Sequence, residues 1–342
     1  MKRTFFLFLL FIVFSCLFCG CGDEEPMPTP PAQIAIPTES TVPTTLPEEV
    51  PPLSTVILLE KDEALRIDYT LMAVSPDAPF TDFSGNPAPD IAINTAGADA
   101  LMAFLKSPQV MKLAAAYGME EYGSNLYDAD FSSAVEGEIP LASDETKNLR
   151  LSASKALVDS GLLPSLVKIF EETYGYTVEI RTDETFLILS GARHGDADLV
   201  ITSTKSMEDQ FVEEDFARLC GTFSHHRVPF VHSYYVLCGP AHDPAGAAVC
   251  GSVREAFAAI AEGKHPFISR GDGFTLHAKE VSLWPTELGI TTEPSSARPH
   301  AQWYLSAGMD SGPCVVMAAE TDAYVLTEKL TYLVYRSRID GI

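Results

Sequence analysis

The chain has 342 residues, of which 46% are hydrophobic, so its length allows about two domains of ordinary size with a buried core. It holds 47 acidic and 23 basic residues, which gives a formal net charge of -24. A surface this acidic repels the phosphate backbone, so nucleic acid is excluded as a natural partner.

The N-terminus has the composition of a bacterial export signal. Lys2-Arg3 precedes a short apolar run that is too short for a confident membrane span, and three cysteines lie near its end. Cys21, flanked by glycines, resembles the cleavage site of a bacterial lipoprotein, and Cys16 is the alternative. We therefore predict a lipoprotein signal peptide over residues 1–21 with Cys21 as the lipidated residue. An uncleaved N-terminal anchor is the competing interpretation.

Residues 22–52 are predicted to be a disordered tether. Nine of the thirty residues from 23 to 52 are proline, interleaved with Thr, Ser and Glu, and this composition cannot bury enough apolar surface to fold. The rest of the chain has four cysteines at wide, irregular spacings: Cys220, Cys238, Cys250 and Cys314. This spacing favours buried free thiols over a disulfide framework or a paired-cysteine metal site.

The first folded half is predicted to begin with two strands, at 55–59 and 69–74, separated by a turn. A helical pattern follows over 96–117, which Ser107-Pro108 interrupts and Gly118 ends. Residues 132–148 are acidic and rich in Ser, as in a linker inside the globular region.

Residues 149–201 form the best-defined unit of the sequence. An alternating strand at 149–152 leads into Ser152-Ala153-Ser154-Lys155, which we interpret as a ligand-facing loop. Asp159-Ser160-Gly161 then opens an amphipathic helix, and strands follow at 177–180 and 199–201. This order is typical of a βαβ unit, and open α/β sheets bind ligands at the carboxyl ends of their strands.

The second half contains an apolar strand at 233–240 whose form repeats that of 69–76, since both end in a small residue and proline. We interpret these two strands as crossings between two lobes. A helix at 253–261, a strand at 267–269 and a helix at 277–284 follow, and the segments 303–304, 315–319 and 323–335 complete the chain.

Several motifs in order and spacing resemble the tungstate-type substrate-binding proteins of bacterial ABC importers. They are Asp159-Ser160-Gly161, Gly195-Asp196-Ala197-Asp198, Ser269-Arg270-Gly271-Asp272, Leu283-Trp284, Trp303-Tyr304-Leu305 and Ala323-Tyr324-Val325-Leu326-Thr327. The resemblance covers residues 149 to about 335. It implies an α/β protein with a two-lobed periplasmic-binding-protein-like fold, a mixed sheet in each lobe and a two-strand hinge.

The order of the remaining pieces suggests a circular permutation of this family. Elements that follow the last motif in the family, namely a strand, an acidic turn, a hinge strand and a helix with Ser-Pro, stand here at 56–118. The resemblance thus implies one lobe at 69–233 and a second lobe at 234–342 plus 53–68, with 132–148 joining the ancestral ends. A fused and truncated second copy of the domain is the alternative.

The family binds a small oxyanion between its lobes, so the resemblance implies a ligand site. Matching positions are Ser152, Ser154 and Lys155 in the first loop, Arg270 and Thr275 in the second lobe, and Ser311 and Gly312 at a third approach. Hydroxyl groups and helix N-termini donate hydrogen bonds to an anion without neutralising it. The ligand is then tungstate, molybdate, another oxyanion or a small carboxylate.

Alternative interpretations of these residues are structural. Lys155 also fits a solvated surface charge, and Arg270 also fits a fixed ion pair with Asp272 or Glu280. His225, His226 and His232 lack the spacing of a metal site, and Ser269, His277 and Asp272 lack a nucleophile-elbow pattern. We therefore predict neither an enzyme nor a metal or other cofactor.

The sequence and the resemblance together predict a monomeric, extracytoplasmic binding protein held at the membrane by a lipid anchor. The implied partners are a small oxyanion and an ABC permease with its ATPase. The alternative is a ligand-degenerate, permuted lipoprotein that acts as a sensor or a surface interaction module.

Overall fold

The computed structural model of the chain describes residues 55–221 and 223–340. The predicted signal peptide, the lipidation candidates Cys21 and Cys16, and the tether at 22–52 lie outside the described residues. Within the described part, no helix combines the length and apolar character needed to cross a membrane.

Eleven strands occur in the described residues. In chain order they are β1 (Thr55–Leu59), β2 (Arg66–Val74), β3 (Asp128–Ala129), β4 (Asn148–Ser154), β5 (Thr177–Asp183), β6 (Leu199–Thr202), β7 (Ala217–Arg218), β8 (Val228–Pro240), β9 (Phe267–Ser269), β10 (Tyr304–Ser306) and β11 (Tyr324–Glu328).

The described residues also form eleven α-helices. They are α1 (Thr95–Leu105), α2 (Pro108–Ala116), α3 (Met119–Tyr122), α4 (Lys155–Asp159), α5 (Leu162–Tyr174), α6 (Thr185–Arg193), α7 (Lys205–Glu213), α8 (Val253–Gly263), α9 (Thr275–Val281), α10 (Ser311–Glu320) and α11 (Lys329–Asp340).

The first sheet contains β8, β2, β6, β4 and β5 in this order, with β3 beside β8 and β7 beside β2. β4 lies parallel to both β5 and β6, whereas β2 is antiparallel to β6 and β8. The helices α1 and α4 to α7 pack around this sheet, and together they form the first lobe. The βαβ unit predicted at 149–201 is therefore confirmed.

The second sheet contains β10, β9, β11 and β8, with β1 on β8. β9, β10 and β11 are parallel to one another, and β8 is antiparallel to both β11 and β1. With α8, α9 and α10 it forms the second lobe. Each lobe thus has the expected mixed sheet.

β8 belongs to both sheets. Its residues from Val228 to Tyr234 pair with β2, and those from Tyr235 to Pro240 pair with β1 and β11. The other crossing is the segment 60–65, because β2 pairs with first-sheet strands and its end at Val74 pairs with Ala217 of β7. The expectation that the strand at 69–74 is itself a crossing is therefore wrong.

Local signals explain where the helices begin and end. Pro108 opens α2, because the backbone N–H that proline lacks would have no acceptor in the first turn of the helix. α5 begins after Gly161 and ends at Gly175, whose φ angles of 82° and 78° are left-handed conformations that glycine adopts without strain. The predicted break of the helical pattern at Ser107-Pro108 is confirmed.

The Gly195-Asp196-Ala197-Asp198 motif has a structural role in the first lobe. Asp198 is buried and accepts hydrogen bonds from the backbone N–H of Asn94 (2.9 Å) and of Arg150 (2.8 Å). The Arg150 guanidinium donates to both of its carboxylate oxygens. This network ties α1, β4 and the turn before β6 together, because a buried carboxylate is tolerated only when its oxygens are satisfied.

The core of the second lobe contains a buried carboxyl group, Glu280 on α9. One of its oxygens accepts hydrogen bonds from the indole of Trp284 (3.1 Å) and the hydroxyl of Tyr304 (2.8 Å). Burial raises the pKa of Glu280 to about 7, although hydrogen bonds from Ser269, Trp284 and Tyr304 oppose the shift. The pairing of Arg270 with Glu280 that the sequence left open does not occur.

Glu280 makes the stability of the protein depend on pH. Since its folded-state pKa is raised above the usual carboxyl value, its protonated form favours folding, and that contribution is lost as the pH rises from about 4.5 through about 7. We expect the free energy of unfolding of the Glu280→Gln variant, measured by urea titration, to exceed that of the parent by about 3 kcal/mol above pH 8 and to match it near pH 4.5.

The exposed residue Glu287 provides the control, since Glu287→Gln makes the same chemical change on the surface. A difference between the Glu280→Gln variant and the parent that is the same at pH 4.5 and pH 8 would contradict the assignment.

Candidate ligand-binding cleft

A cavity of about 710 Å³ lies between the two lobes. Its first-lobe wall contains Leu126, Tyr127, Ser154, Lys155, Ala156, Asp159, Glu184 and Ser203. Its second-lobe wall contains Arg270, Phe274, Thr275, Leu276, Asp310, Ser311, Gly312 and Pro313. β2, β8, β11 and α11 complete the lining with Ile67, Tyr69, Ser233, Tyr234, Tyr235, Glu328, Lys329, Leu330, Thr331, Val334 and Tyr335.

The first-lobe wall is built from the ends of three parallel strands. Ser154 ends β4, Glu184 follows β5 and Ser203 follows β6. Because the carboxyl ends of parallel strands meet at one edge of a sheet, these residues come together although they are far apart in sequence. The cleft thus lies where an open α/β sheet binds its ligand.

The segment 152–155, predicted to be a loop, is instead the end of β4 followed by the first residue of α4. β4 stays paired with β5 as far as Ser154, opposite Asp183, and the helix begins at Lys155. Lys155 lines the cavity with 63% of its side chain exposed and forms an ion pair with Asp159, one turn further along α4. Its charge is therefore partly compensated before any ligand arrives.

Arg270 supplies a cation to the second-lobe wall, and its guanidinium faces several polar groups. Its side chain is 13% exposed and follows β9 directly. The guanidinium contacts Asp272 (2.5 Å) and lies 3.5 Å from Asp310 and 3.8 Å from Glu328. Burial opposes its charge, but Glu328, Asp272 and Asp310 outweigh this, so the pKa of Arg270 is raised and the group stays cationic.

The N-terminus of α10 lies beside Arg270. The Ser311 hydroxyl accepts a hydrogen bond from the Arg270 guanidinium (3.2 Å), and the side chain of Asp310 does not cap the helix. The first N–H groups of a helix have no intrahelical acceptor, and the helix dipole is positive there. α10 therefore presents donors to the cavity next to the guanidinium.

Gly312 has a packing role that is independent of any ligand. A Cβ atom at this position would lie 2.2 Å from the hydroxyl oxygen of Tyr335, so only glycine allows α10 to approach α11 this closely. This contact explains why the position is occupied by glycine.

One hydrogen bond joins the two lobes across the cleft. The Thr275 hydroxyl at the start of α9 donates to a carboxylate oxygen of Glu184 at the start of α6 (3.1 Å). The two lobes are therefore in polar contact in this structure, and both residues of the contact line the cavity.

Six of the seven predicted site residues line the cavity: Ser154, Lys155, Arg270, Thr275, Ser311 and Gly312. Ser152 is buried in β4 between Val200 of β6 and Arg181 of β5, two residues before the strand end, and is absent from the lining. The sequence did not single out Glu184 or Ser203. Each follows a strand that is parallel to β4, and this position was the signal that could have identified them as cleft residues.

The polar cluster of Ser269 and His277 is not arranged for nucleophilic chemistry. Ser269 is fully buried and its hydroxyl accepts a hydrogen bond from Gly271 N–H (3.2 Å). His277 Nδ1 accepts a hydrogen bond from Gly273 N–H (2.8 Å), which fixes the turn before α9. Among the described residues, no group of three His, Cys, Asp or Glu side chains is placed to hold a metal ion.

All four described cysteines are free thiols. Cys220, Cys238 and Cys314 are buried as expected, whereas Cys250 is only half-buried, so the expectation is wrong for that residue.

Comparison with known proteins gives a consistent picture. A family model described as a PBP superfamily domain matches residues 142–341. A protein of Haloferax volcanii, whose name assigns it to anion binding by an ABC transporter, is 30% identical over 195 residues, covering 57% of this chain and 53% of that protein. The tungstate-binding protein TupA of Peptoclostridium acidaminophilum is 31% identical over 200 residues, covering 58% of this chain and 64% of that protein.

Among solved structures, the tungstate-binding protein TupA from Desulfovibrio alaskensis G20 is 28% identical and covers 57% of this chain and 72% of that chain, with a TM-score of 0.46. The chain spans about half to two thirds of the length of the curated relatives that it matches. These relatives are named as binding proteins and not as enzymes. Because the family model matches more than half of the chain, the protein belongs to the PBP superfamily.

Proposed function

We propose that this protein captures a small anion between its two lobes and delivers it to an ABC importer, without a chemical step. The observation that carries the proposal is the placement of Arg270, Ser311 and the N-terminus of α10 on one wall of a cavity whose opposite wall belongs to the other lobe. A guanidinium and uncompensated N–H groups are suited to bind a carboxylate or an oxyanion.

Ligand binding would be coupled to hinge motion about the two crossings. β8, which changes its pairing partners between Tyr234 and Tyr235, and the segment 60–65 connect the lobes and are the proposed hinges. Contacts that use both walls exist only when the lobes are closed, so a ligand shifts the equilibrium towards the closed state by its difference in affinity for the two states. The bond between Thr275 and Glu184 would add to the closed state.

The proposed location is outside the cytoplasmic membrane, with Cys21 lipidated and residues 22–52 as the tether of a monomer. An ABC permease and its ATPase are the proposed partners, in line with the relative named for anion binding by an ABC transporter. Mass spectrometry of the mature protein tests the anchor, since an unmodified N-terminal Met1 would contradict it.

A second candidate function is a sensor or surface module that has lost its ligand. It is favoured by one observation: the described cations of the cleft already have carboxylate partners in the chain, since Lys155 pairs with Asp159, Arg270 with Asp272 and Lys329 with Glu60. A protein of this kind would show no stabilisation by any anion.

The test of anion capture is a thermal-shift and calorimetric panel of tungstate, molybdate, sulfate, phosphate and small carboxylates. An anion at 100 times its dissociation constant should raise the free energy of unfolding by about 2.7 kcal/mol. We expect Arg270→Gln to weaken binding of that anion by about tenfold or more, because a charged donor is lost from an enclosed site.

Arg254→Gln is the matched control, because Arg254 lies exposed on α8 in the same lobe and outside the cavity lining. Equal affinities of the Arg270→Gln variant and the parent would remove Arg270 from the site. No stabilisation by any anion in the panel would favour the second candidate function.

We also propose that the chain is a circular permutant of its family. Three observations support this: the family match starts at residue 142, β1 and β2 before it complete both sheets, and the Tyr332 hydroxyl on α11 donates to the carbonyl of Thr55 (3.3 Å). The first described strand and the last helix therefore lie side by side in the second lobe.

The permutation predicts that the chain tolerates a return to the ancestral order. A variant that starts at residue 143, joins 340 to 55 through a short Gly/Ser linker and ends at 142 should unfold in one transition with a midpoint near that of the parent. A matched variant opened inside β8, between Tyr234 and Tyr235, should fail to fold. Equal behaviour of the two variants would contradict the proposal.

A further inference from the structure

The cavity has room for a ligand larger than a single inorganic oxyanion. Thr275 and Glu184 join the two lobes by a hydrogen bond, and the cavity that both residues help to line has a volume of about 710 Å³. Cavities of roughly 300–1,000 Å³ hold drug-sized ligands. A tetrahedral oxyanion has only five heavy atoms and displaces on the order of two or three waters of about 30 Å³ each.

Aromatic and apolar side chains form part of the cavity wall, between its polar groups. Five tyrosines line it, and three of them, Tyr69, Tyr127 and Tyr235, are buried side chains near the crossing between the lobes. Leu126 and Leu276 continue this surface from opposite lobes. Such walls bury the apolar body of an organic ligand, whereas a bare oxyanion would leave them in contact with water only.

The charges of the cavity disfavour a doubly charged ligand. Its lining carries four carboxylates, Asp159, Glu184, Asp310 and Glu328, against three cations. Each of these cations already contacts a carboxylate of the chain. A dianion enclosed here would meet more negative than positive charge, and enclosing an uncompensated charge is costly.

The carboxylate of Glu184 favours a ligand that can donate a hydrogen bond. Within the described residues, no lysine or arginine lies at ion-pair distance from its carboxylate, which accepts one hydrogen bond, from Thr275. A carboxylate can only accept hydrogen bonds, so it favours a ligand with a hydroxyl or ammonium donor. Sulfate and tungstate, fully deprotonated, offer no donor.

We infer that the cleft takes an organic monocarboxylate with an apolar body and a hydrogen-bond donor, and not a doubly charged inorganic oxyanion. This inference rests on the proposed function, since it assigns the ligand class of the same cleft. The carboxylate head would lie at Arg270 and α10, the apolar body against the tyrosines, and the donor towards Glu184.

Isothermal titration calorimetry on the mature protein with matched ligand pairs tests the inference. Acetate and 3-phenylpropionate share the carboxylate and differ in the apolar body, and we expect 3-phenylpropionate to bind at least about tenfold more tightly, since burial of a phenyl ring is favourable. Phenylalanine adds an ammonium donor to the same body and should bind more tightly still.

Two variants assign these preferences to the structure. Glu184→Gln keeps the shape of the side chain but can donate as well as accept, so the advantage of phenylalanine over 3-phenylpropionate should fall by about tenfold. Leu330→Trp fills part of the cavity from α11 and should weaken 3-phenylpropionate much more than acetate, whereas Leu330→Met should preserve both affinities. Unfolding midpoints near that of the parent show that the variants are folded.

The outcomes separate the two proposals. Tighter binding of tungstate, molybdate or sulfate than of any organic carboxylate would overturn this inference and leave the proposed function intact. Equal affinities for acetate and 3-phenylpropionate would also overturn it. Absence of binding by every anion would contradict the proposed function, and the inference with it.

Discussion

The structure depends on one strand that is shared by two sheets. β8 pairs with β2 in the first lobe up to Tyr234 and with β1 and β11 in the second lobe from Tyr235 onwards. Because backbone hydrogen bonds fix the strand on both sides of this point, the change of partners sets where the lobes can pivot. The carboxyl ends of β4 and β9 then approach the same space, and the residues after them, Lys155 and Arg270, line one cavity.

The proposed capture of an anion has to be reconciled with the strongly acidic character of the protein. The chain carries a net charge of -24, so capture depends on local donors and not on the overall field. Arg270 is oriented by Asp272 and Ser311, and the dipole of α10 adds positive potential beside it. The surrounding carboxylates hold the guanidinium in place while they limit how much negative charge a ligand can bring.

Sequence patterns were sufficient to predict the elements whose signals are local. The βαβ unit at 149–201 and the interruption at Ser107-Pro108 follow from period and proline chemistry, whereas the six predicted residues that line the cleft came from the family resemblance. Ser152 shows the limit of motif transfer: it lies two residues before the end of β4, and only residues at the strand end reach the ligand edge. The position at which β4 ends, which the sequence alone does not give, decides this difference.

Contacts between distant segments could not be predicted in the same way. Glu184 and Thr275 are 91 positions apart, and nothing in their local sequence indicates that their side chains meet. The crossing at 60–65 was also missed, because the similarity of 69–76 to 233–240 reflects two apolar strand ends and not a shared position between the lobes. Both features depend on how the two sheets are joined through β8.

We propose that the space between the lobes binds the anionic head of a ligand at Arg270. The measurement that tests this proposal is a crystal structure of the protein grown with 3-phenylpropionate. We expect a carboxylate at about 2.7–3.2 Å from the Arg270 guanidinium and the first N–H groups of α10, with the phenyl ring contacting residues of both lobes. A ligand bound outside the cleft, or one in the cleft that makes no contact with Arg270, would contradict this proposal.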